Sequence, residues 1–221
     1  MAKVNLTNLE VSRTAHIRQI GDFGPQIKHV ILSCHGYGQL SEYFIRKFQT
    51  IAREDILVIC PEALNKFYLD GFNGRVGSNW MTSDRRDLDI EDNRKYLNQV
   101  FSWINSQMDH DFKIHLLGFS QGAQTLSRWV ITEKIQIDSL TLWGGRQAKD
   151  LNWRMLCDWS QANNIHIRMG TEDEFYPKEK VENWLAEWKE EGVQFEFEYY
   201  EGNHSLVSTA MHDYVKNIID K

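Results

Sequence analysis

Gly118-Phe119-Ser120-Gln121-Gly122 follows the apolar run Lys113–Leu117 and precedes a helix-like stretch, Ala123 to Ile131. This is a G-x-S-x-G pattern between a strand and a helix. A serine hydroxyl is a poor nucleophile in water, but at a strained elbow its Oγ stands clear of the backbone, where a base can reach it. Side chains in place of the two glycines would collide with the neighbouring strand and helix. A plain glycine-rich turn is the alternative reading of Ser120, so the case rests on partners arriving in the right order. Two later loops after strands supply them: Gly170-Thr171-Glu172-Asp173-Glu174-Phe175-Tyr176-Pro177 and Glu201-Gly202-Asn203-His204-Ser205. His204 would take the serine proton on one ring nitrogen while an acid holds the proton of the other. Asp173 is the first candidate acid, with Glu172 and Glu174 beside it as alternatives; a helix N-cap ahead of Pro177 is its structural reading. A negatively charged tetrahedral intermediate also needs two fixed N–H donors. Gln121 offers one at the positive end of a helix. His35-Gly36-Tyr37-Gly38, after the strand Lys28–Ser33, offers the Tyr37 N–H, or is simply a glycine turn.

Positioning such residues requires a rigid frame, and the periodicities supply one. Strands are expected at Thr14–Ile20, Lys28–Ser33, Ile56–Cys60, Lys113–Leu117, Ser139–Trp143, Ile165–Met169 and, at an edge, Val193–Tyr199. Helices are expected at Leu40–Ala52, Asp87–Met108, Gln121–Ile131, Trp153–Gln161, Pro177–Glu190 and His204–Ile219. Strands alternating with helices imply an α/β fold, a mostly parallel central sheet with helices on both faces. Working residues in such sheets sit on loops at the carboxyl ends of strands.

The 221 residues suffice for one substantial core, so a single domain over 1–221 is expected. A net charge of −6 and the lack of a Lys/Arg stripe argue against a nucleic-acid partner. No apolar run approaches the length of about 18 residues that a membrane span needs, and the N-terminus lacks the apolar core of a leader, so no stable membrane insertion is expected. Cys34, Cys60 and Cys157 are odd in number and lack metal-ligand spacing; they read as reduced cysteines of a cytoplasmic protein. No metal motif or phosphate loop occurs, so no metal and no cofactor are expected.

The chain resembles the phospholipase/carboxylesterase branch of the α/β-hydrolases, which includes bacterial carboxylesterases and acyl-protein thioesterases. The resemblance is carried by HGYG (35–38), PEAL (61–64), SNW (78–80), GFSQG (118–122), GTEDEFYP (170–177) and EGNHS (201–205). It implies the α/β-hydrolase fold and a cofactor-free hydrolase acting on small-molecule carboxylic esters or thioesters. The family's G-x-x-D-x-x-x-P acid falls on Asp173, its base on His204, and its oxyanion donors on Tyr37 and Gln121. The family often has a small aliphatic residue where Tyr37 stands, and Asp or Ser where Gln39 stands; the Tyr37 ring is expected to narrow the acyl pocket or cover its mouth. The aromatic, glycine-rich stretch Asn65–Thr82 is expected to be a loop forming part of the substrate wall through Phe67, Tyr68, Phe72 and Trp80, or else packed on the domain surface. Trp80 matches a tryptophan that the family places beside the active site. Relatives often pair near the active-site mouth, so a homodimer is what the resemblance implies.

The reading that follows is a serine carboxylesterase working through an acyl-Ser120 intermediate, with esters, thioesters or lysophospholipids as substrates. A peptidase-like hydrolase would usually carry a second domain to select peptides, and 221 residues leave little room for one. A non-catalytic binding or regulatory protein on the same scaffold would typically have lost a triad member, and here all three positions are filled.

Overall fold

The computed structural model describes residues 3–221; the first two residues of the stretch read above for a leader lie outside it. In chain order the elements are β1 (Ile17–Ile20), β2 (His29–Cys34), α1 (Ser41–Phe44) running on as a 3₁₀ segment (Ile45–Ile51), β3 (Ile56–Pro61), β4 (Asn65–Tyr68), β5 (Val76–Asn79), α2 (Arg86–Gln107), β6 (Lys113–Phe119), α3 (Gln121–Glu133), β7 (Ser139–Trp143), α4 (Trp153–Ser160), β8 (Asn164–Gly170), α5 (Lys178–Glu190), β9 (Glu196–Tyr200) and α6 (Ser208–Tyr214) with a closing π turn (Val215–Ile219). Seven strands form one sheet in the order β1-β3-β2-β6-β7-β8-β9. Only β1 runs antiparallel to its neighbour.

Alternation along the central strands sends side chains to two cores, as a period of two requires. Val30, Leu32, Leu57 and Ile59 enter the core beneath α2, α3, α4 and α5. Ile31, Ile56, Val58 and Cys60 enter the core beneath α1, its 3₁₀ extension and α6. Helices therefore cover both faces. The winding reverses between β2, which leads to β3 on one side, and β6, which leads to β7 on the other. Ligands bind outside the carboxyl ends of strands at such a switch point, and both the 35–40 loop and Ser120 lie there.

Four expectations are corrected. The first strand is shorter than Thr14–Ile20. The helix expected over Leu40–Ala52 is a single α turn that tightens to 3₁₀, still burying Phe44, Phe48 and Ile51. The last helix begins at Ser208, so His204 stands in a loop. The stretch Asn65–Thr82 contains a two-stranded antiparallel hairpin, β4–β5. Cys34 and Cys60 are buried, and Cys157 is half-buried. No helix among the described residues is long and apolar enough to cross a membrane.

A buried row of histidines crosses the amino ends of the strands, away from the 35–40 loop and Ser120. His29 and His115 meet at 3.2 Å, His115 reaches the Ser139 hydroxyl at 2.8 Å, and His166 lies two strands further on. Burial pushes all three imidazoles below the usual range, His115 to about 3. The unfolded chain therefore takes these protons first. Stability is fully present at neutral pH and is lost as pH falls below about 6.5 towards the depressed values. At about pH 5, His115 alone costs about 2 kcal/mol, a Tm fall of roughly 4–8 °C against about pH 7.5. Thermal melts at the two pH values check this; a smaller fall is expected in His115→Gln.

Candidate active site

The turn at Ser120 is strained where the G-x-S-x-G pattern requires it. Ser120, between β6 and α3, has φ 53° and ψ −113°, an unfavourable backbone conformation for a residue with a Cβ. Its N–H donates to Trp143 O at 2.9 Å and its carbonyl accepts from Ala123 N–H at 3.1 Å, so neighbouring backbone fixes the turn. The flanking glycines permit close approach. A Cβ on Gly118 would lie 2.5 Å from Ala123 Cα, and one on Gly122 would overlap the carbonyls of Cys34 and His35 at the end of β2.

His204 and Asp173 come together from loops after β9 and β8. His204 Nδ1 donates to Asp173 Oδ2 at 2.7 Å. The acid is buried, and its other oxygen accepts the N–H groups of Phe175 (2.9 Å) and Tyr176 (3.1 Å). Glu172 and Glu174 are exposed and make no hydrogen bond or ion pair with His204. The imidazole lies among Phe119, Phe175 and Tyr176, with ring centroids at 4.8, 4.7 and 6.4 Å. A Cβ on Gly144 would meet the His204 ring at 3.2 Å, and one on Gly145 would meet Ser120 Cα at 3.2 Å, so the His204 imidazole and the Ser120 backbone border the same Gly-Gly step after β7.

Tyr200 ties the histidine loop down. Its buried hydroxyl lies 3.1 Å from Asn203 O and 2.9 Å from Ser205 O, the carbonyls either side of His204. Tyr200→Phe is expected to lower kcat by about tenfold with little change in KM, because a small displacement of the His204 imidazole, the candidate base, is costly. Steady-state kinetics on a p-nitrophenyl ester check the split between kcat and KM.

The 35–40 loop is organised by a buried histidine. His35 Nδ1–H donates to Gly36 O at 2.8 Å, and Nε2 accepts from Ala63 N–H (3.1 Å) and faces the Ser78 hydroxyl (3.2 Å). Burial pushes His35 down to about 4, so it is neutral at ordinary pH. Gly36 O and Tyr37 N–H belong to one trans peptide and point opposite ways; holding the carbonyl aims the amide. Gln39 accepts the Gly36 N–H at 2.9 Å through Oε1. Gln121 joins α3 to the segment that follows β5: its Oε1 accepts Trp80 N–H at 3.0 Å and its Nε2 donates to Met81 O at 2.9 Å. The N–H groups of Tyr37 and Gln121 have no backbone or side-chain acceptor among the described residues.

A cavity of about 630 Å³ opens beside Phe119, Ser205 and Leu206 and runs between α1 and the hairpin. The expected wall residues do not line it. Trp80 is fully buried beneath the loop, its indole N–H donating to His35 O at 2.9 Å. The Tyr37 ring leans on Phe67 at 5.2 Å, outside the cavity, while Tyr68 and Phe72 face solvent. From the hairpin it is Leu69, Arg75 and Val76 that reach the cavity. Gly77 makes this possible by letting β5 approach the Gly38 backbone, where Gly38 N–H donates to Ser78 O at 2.8 Å.

The Phospholipase/Carboxylesterase family model matches residues 19–221. The chain belongs to this family. Membership makes it an ester-hydrolysing serine hydrolase. Solved structures agree on the fold. Acyl-protein thioesterase 2 from Zea mays superposes with a TM-score of 0.70 at 15% identity, covering 94% of this chain and 99% of that one. Esterase PE8 gives 0.68 at 18%, covering 92% and 99%. A phospholipase/carboxylesterase from Dyadobacter fermentans gives 0.66 at 17%, covering 96% and 100%. No curated protein sequence matches the chain.

Proposed function

We propose that the chain is a serine carboxylesterase in which Ser120, His204 and Asp173 form the catalytic triad. The observation that carries this is the 2.7 Å hydrogen bond from His204 to the buried Asp173, at the same strand ends as the strained Ser120. Asp173 fixes the proton on Nδ1 and leaves Nε2 as the acceptor. Neutral His204 takes the Ser120 proton as Oγ attacks the ester carbonyl, and the oxyanion rests on the N–H groups of Tyr37 and Gln121. His204 then protonates the departing alcohol or thiol. It next deprotonates a water that releases the acid from acyl-Ser120. The substrate is a small-molecule carboxylic ester held in the cavity beside Phe119; a lysophospholipid presents the same oxoester carbonyl, and a thioester a more electrophilic one open to the same attack. The free thiols accord with a cytoplasmic setting, and the family resemblance is the support for a homodimer. A fluorophosphonate probe, followed by peptide mass mapping, tests the assignment. One adduct on Ser120 is expected; no adduct, or an adduct elsewhere, would sink it.

A further inference from the structure

The charges on the cavity walls specify more of the substrate than its ester bond. The cavity floor is apolar and buried, made by Phe44, Phe119 and Leu206. Its rim is solvent-exposed, with Lys47 of the 3₁₀ segment on one wall and Arg75 of the hairpin on the other. No Asp or Glu lines it. Basic groups nearby are already engaged: Arg18 and Arg46 share Glu42 at 3.8 and 3.5 Å, and Lys66 pairs with Glu62 at 2.6 Å. Lys47 and Arg75 have no carboxylate within 4.0 Å among the described residues. On a chain with net charge −6, two unpaired cations from separate elements converge on one opening. A positive rim over an apolar floor attracts an occupant of the complementary pattern.

We infer that the cavity selects esters whose apolar chain ends in an anionic group, a carboxylate or a phosphate, held between Lys47 and Arg75. This rests on the proposed reaction at Ser120, whose chain neighbour Phe119 lines the cavity together with Ser205, the residue after His204. Exposed cations give modest, salt-sensitive attraction. The Arg75 guanidinium also offers a planar pair of donors that suits either oxyanion.

The test uses amides, which report binding without turnover. Calorimetry on the wild-type protein would compare octanamide, suberamic acid, and the phosphate monoester of an ω-hydroxyoctanamide. At low ionic strength the two anionic amides are expected to bind about tenfold more tightly than octanamide, and added salt to close the gap. The pair Lys47→Gln and Arg75→Gln is expected to abolish the preference, whereas Lys47→Arg and Arg75→Lys keep it. Tighter binding of the phosphate or of the carboxylate names the preferred anion. Equal binding of octanamide and suberamic acid, or a preference that survives the double Gln variant, would overturn the inference. Hydrolysis of p-nitrophenyl octanoate and of mono-p-nitrophenyl suberate is measured alongside. An anionic binding preference with no turnover of either ester would leave the binding inference standing and count against the proposed reaction at Ser120.

Discussion

Ser120→Ala is expected to lower kcat for a p-nitrophenyl ester by about 10³-fold or more, while the cavity still binds the ester. The substitution removes one oxygen and leaves the turn unchanged. The positive φ of residue 120 is held by Trp143 O and by the tight packing of Gly118 and Gly122, none of which involves Oγ. The Tyr37 and Gln121 amides also stay in place, because His35, Gln39 and the Gln121 side chain hold them. Binding and oxyanion stabilisation thus survive, and some rate above that in water should persist. Steady-state kinetics with acyl chains from acetate to palmitate, together with thermal melts, check this. A variant that retains wild-type kcat at every chain length would exclude Ser120 as nucleophile. An unchanged Tm would show that the lost rate is chemical.

The convergence of the candidate residues was legible in the sequence because parallel strands gather their carboxyl ends whatever their separation along the chain. Ser120, Asp173 and His204 each follow a strand-like run, and strand order alone brings those loops to one edge. The residues that position them were not legible. Tyr200 lies just past the edge strand expected over Val193–Tyr199, and only the fold reveals that its hydroxyl reaches the carbonyls around His204. His35 belongs to a recognisable motif, but its role depends on Ala63 and Ser78, contributed by later segments. The β4–β5 hairpin escaped because tertiary contact forms it: Gly77 admits the Gly38 backbone, and Gln39 pairs with Ser78. The full burial of Trp80 was not legible for a related reason: its indole N–H finds a buried acceptor in His35 O, contributed by a distant segment, which makes that burial favourable. Lys47 and Arg75 carry no mutual spacing, since their walls come from different elements.

Asp173→Asn is expected to lower kcat by about 10⁴-fold without unfolding the protein, and the geometry says why an isosteric change should be so costly. One carboxylate oxygen accepts two backbone N–H groups, from Phe175 and Tyr176, and the other accepts His204 Nδ1–H. An Asn side chain must present its carbonyl oxygen to the two backbone donors, because its NH₂ would oppose them. The NH₂ then faces Nδ1, where the wild type has an acceptor. His204 meets it by giving up the Nδ1 proton and carrying its proton on Nε2. The nitrogen turned towards Ser120 becomes a donor and can no longer act as a base. Asp173→Ala does not enforce the wrong tautomer, so the Asn variant should be at least as impaired as the Ala variant despite its better packing. Stopped-flow acylation rates and thermal melts on both variants check the order. Asn activity within tenfold of wild type would remove Asp173 as the orienting acid, and an Ala variant slower than Asn would show that packing, and not the tautomer, is what Asp173 supplies.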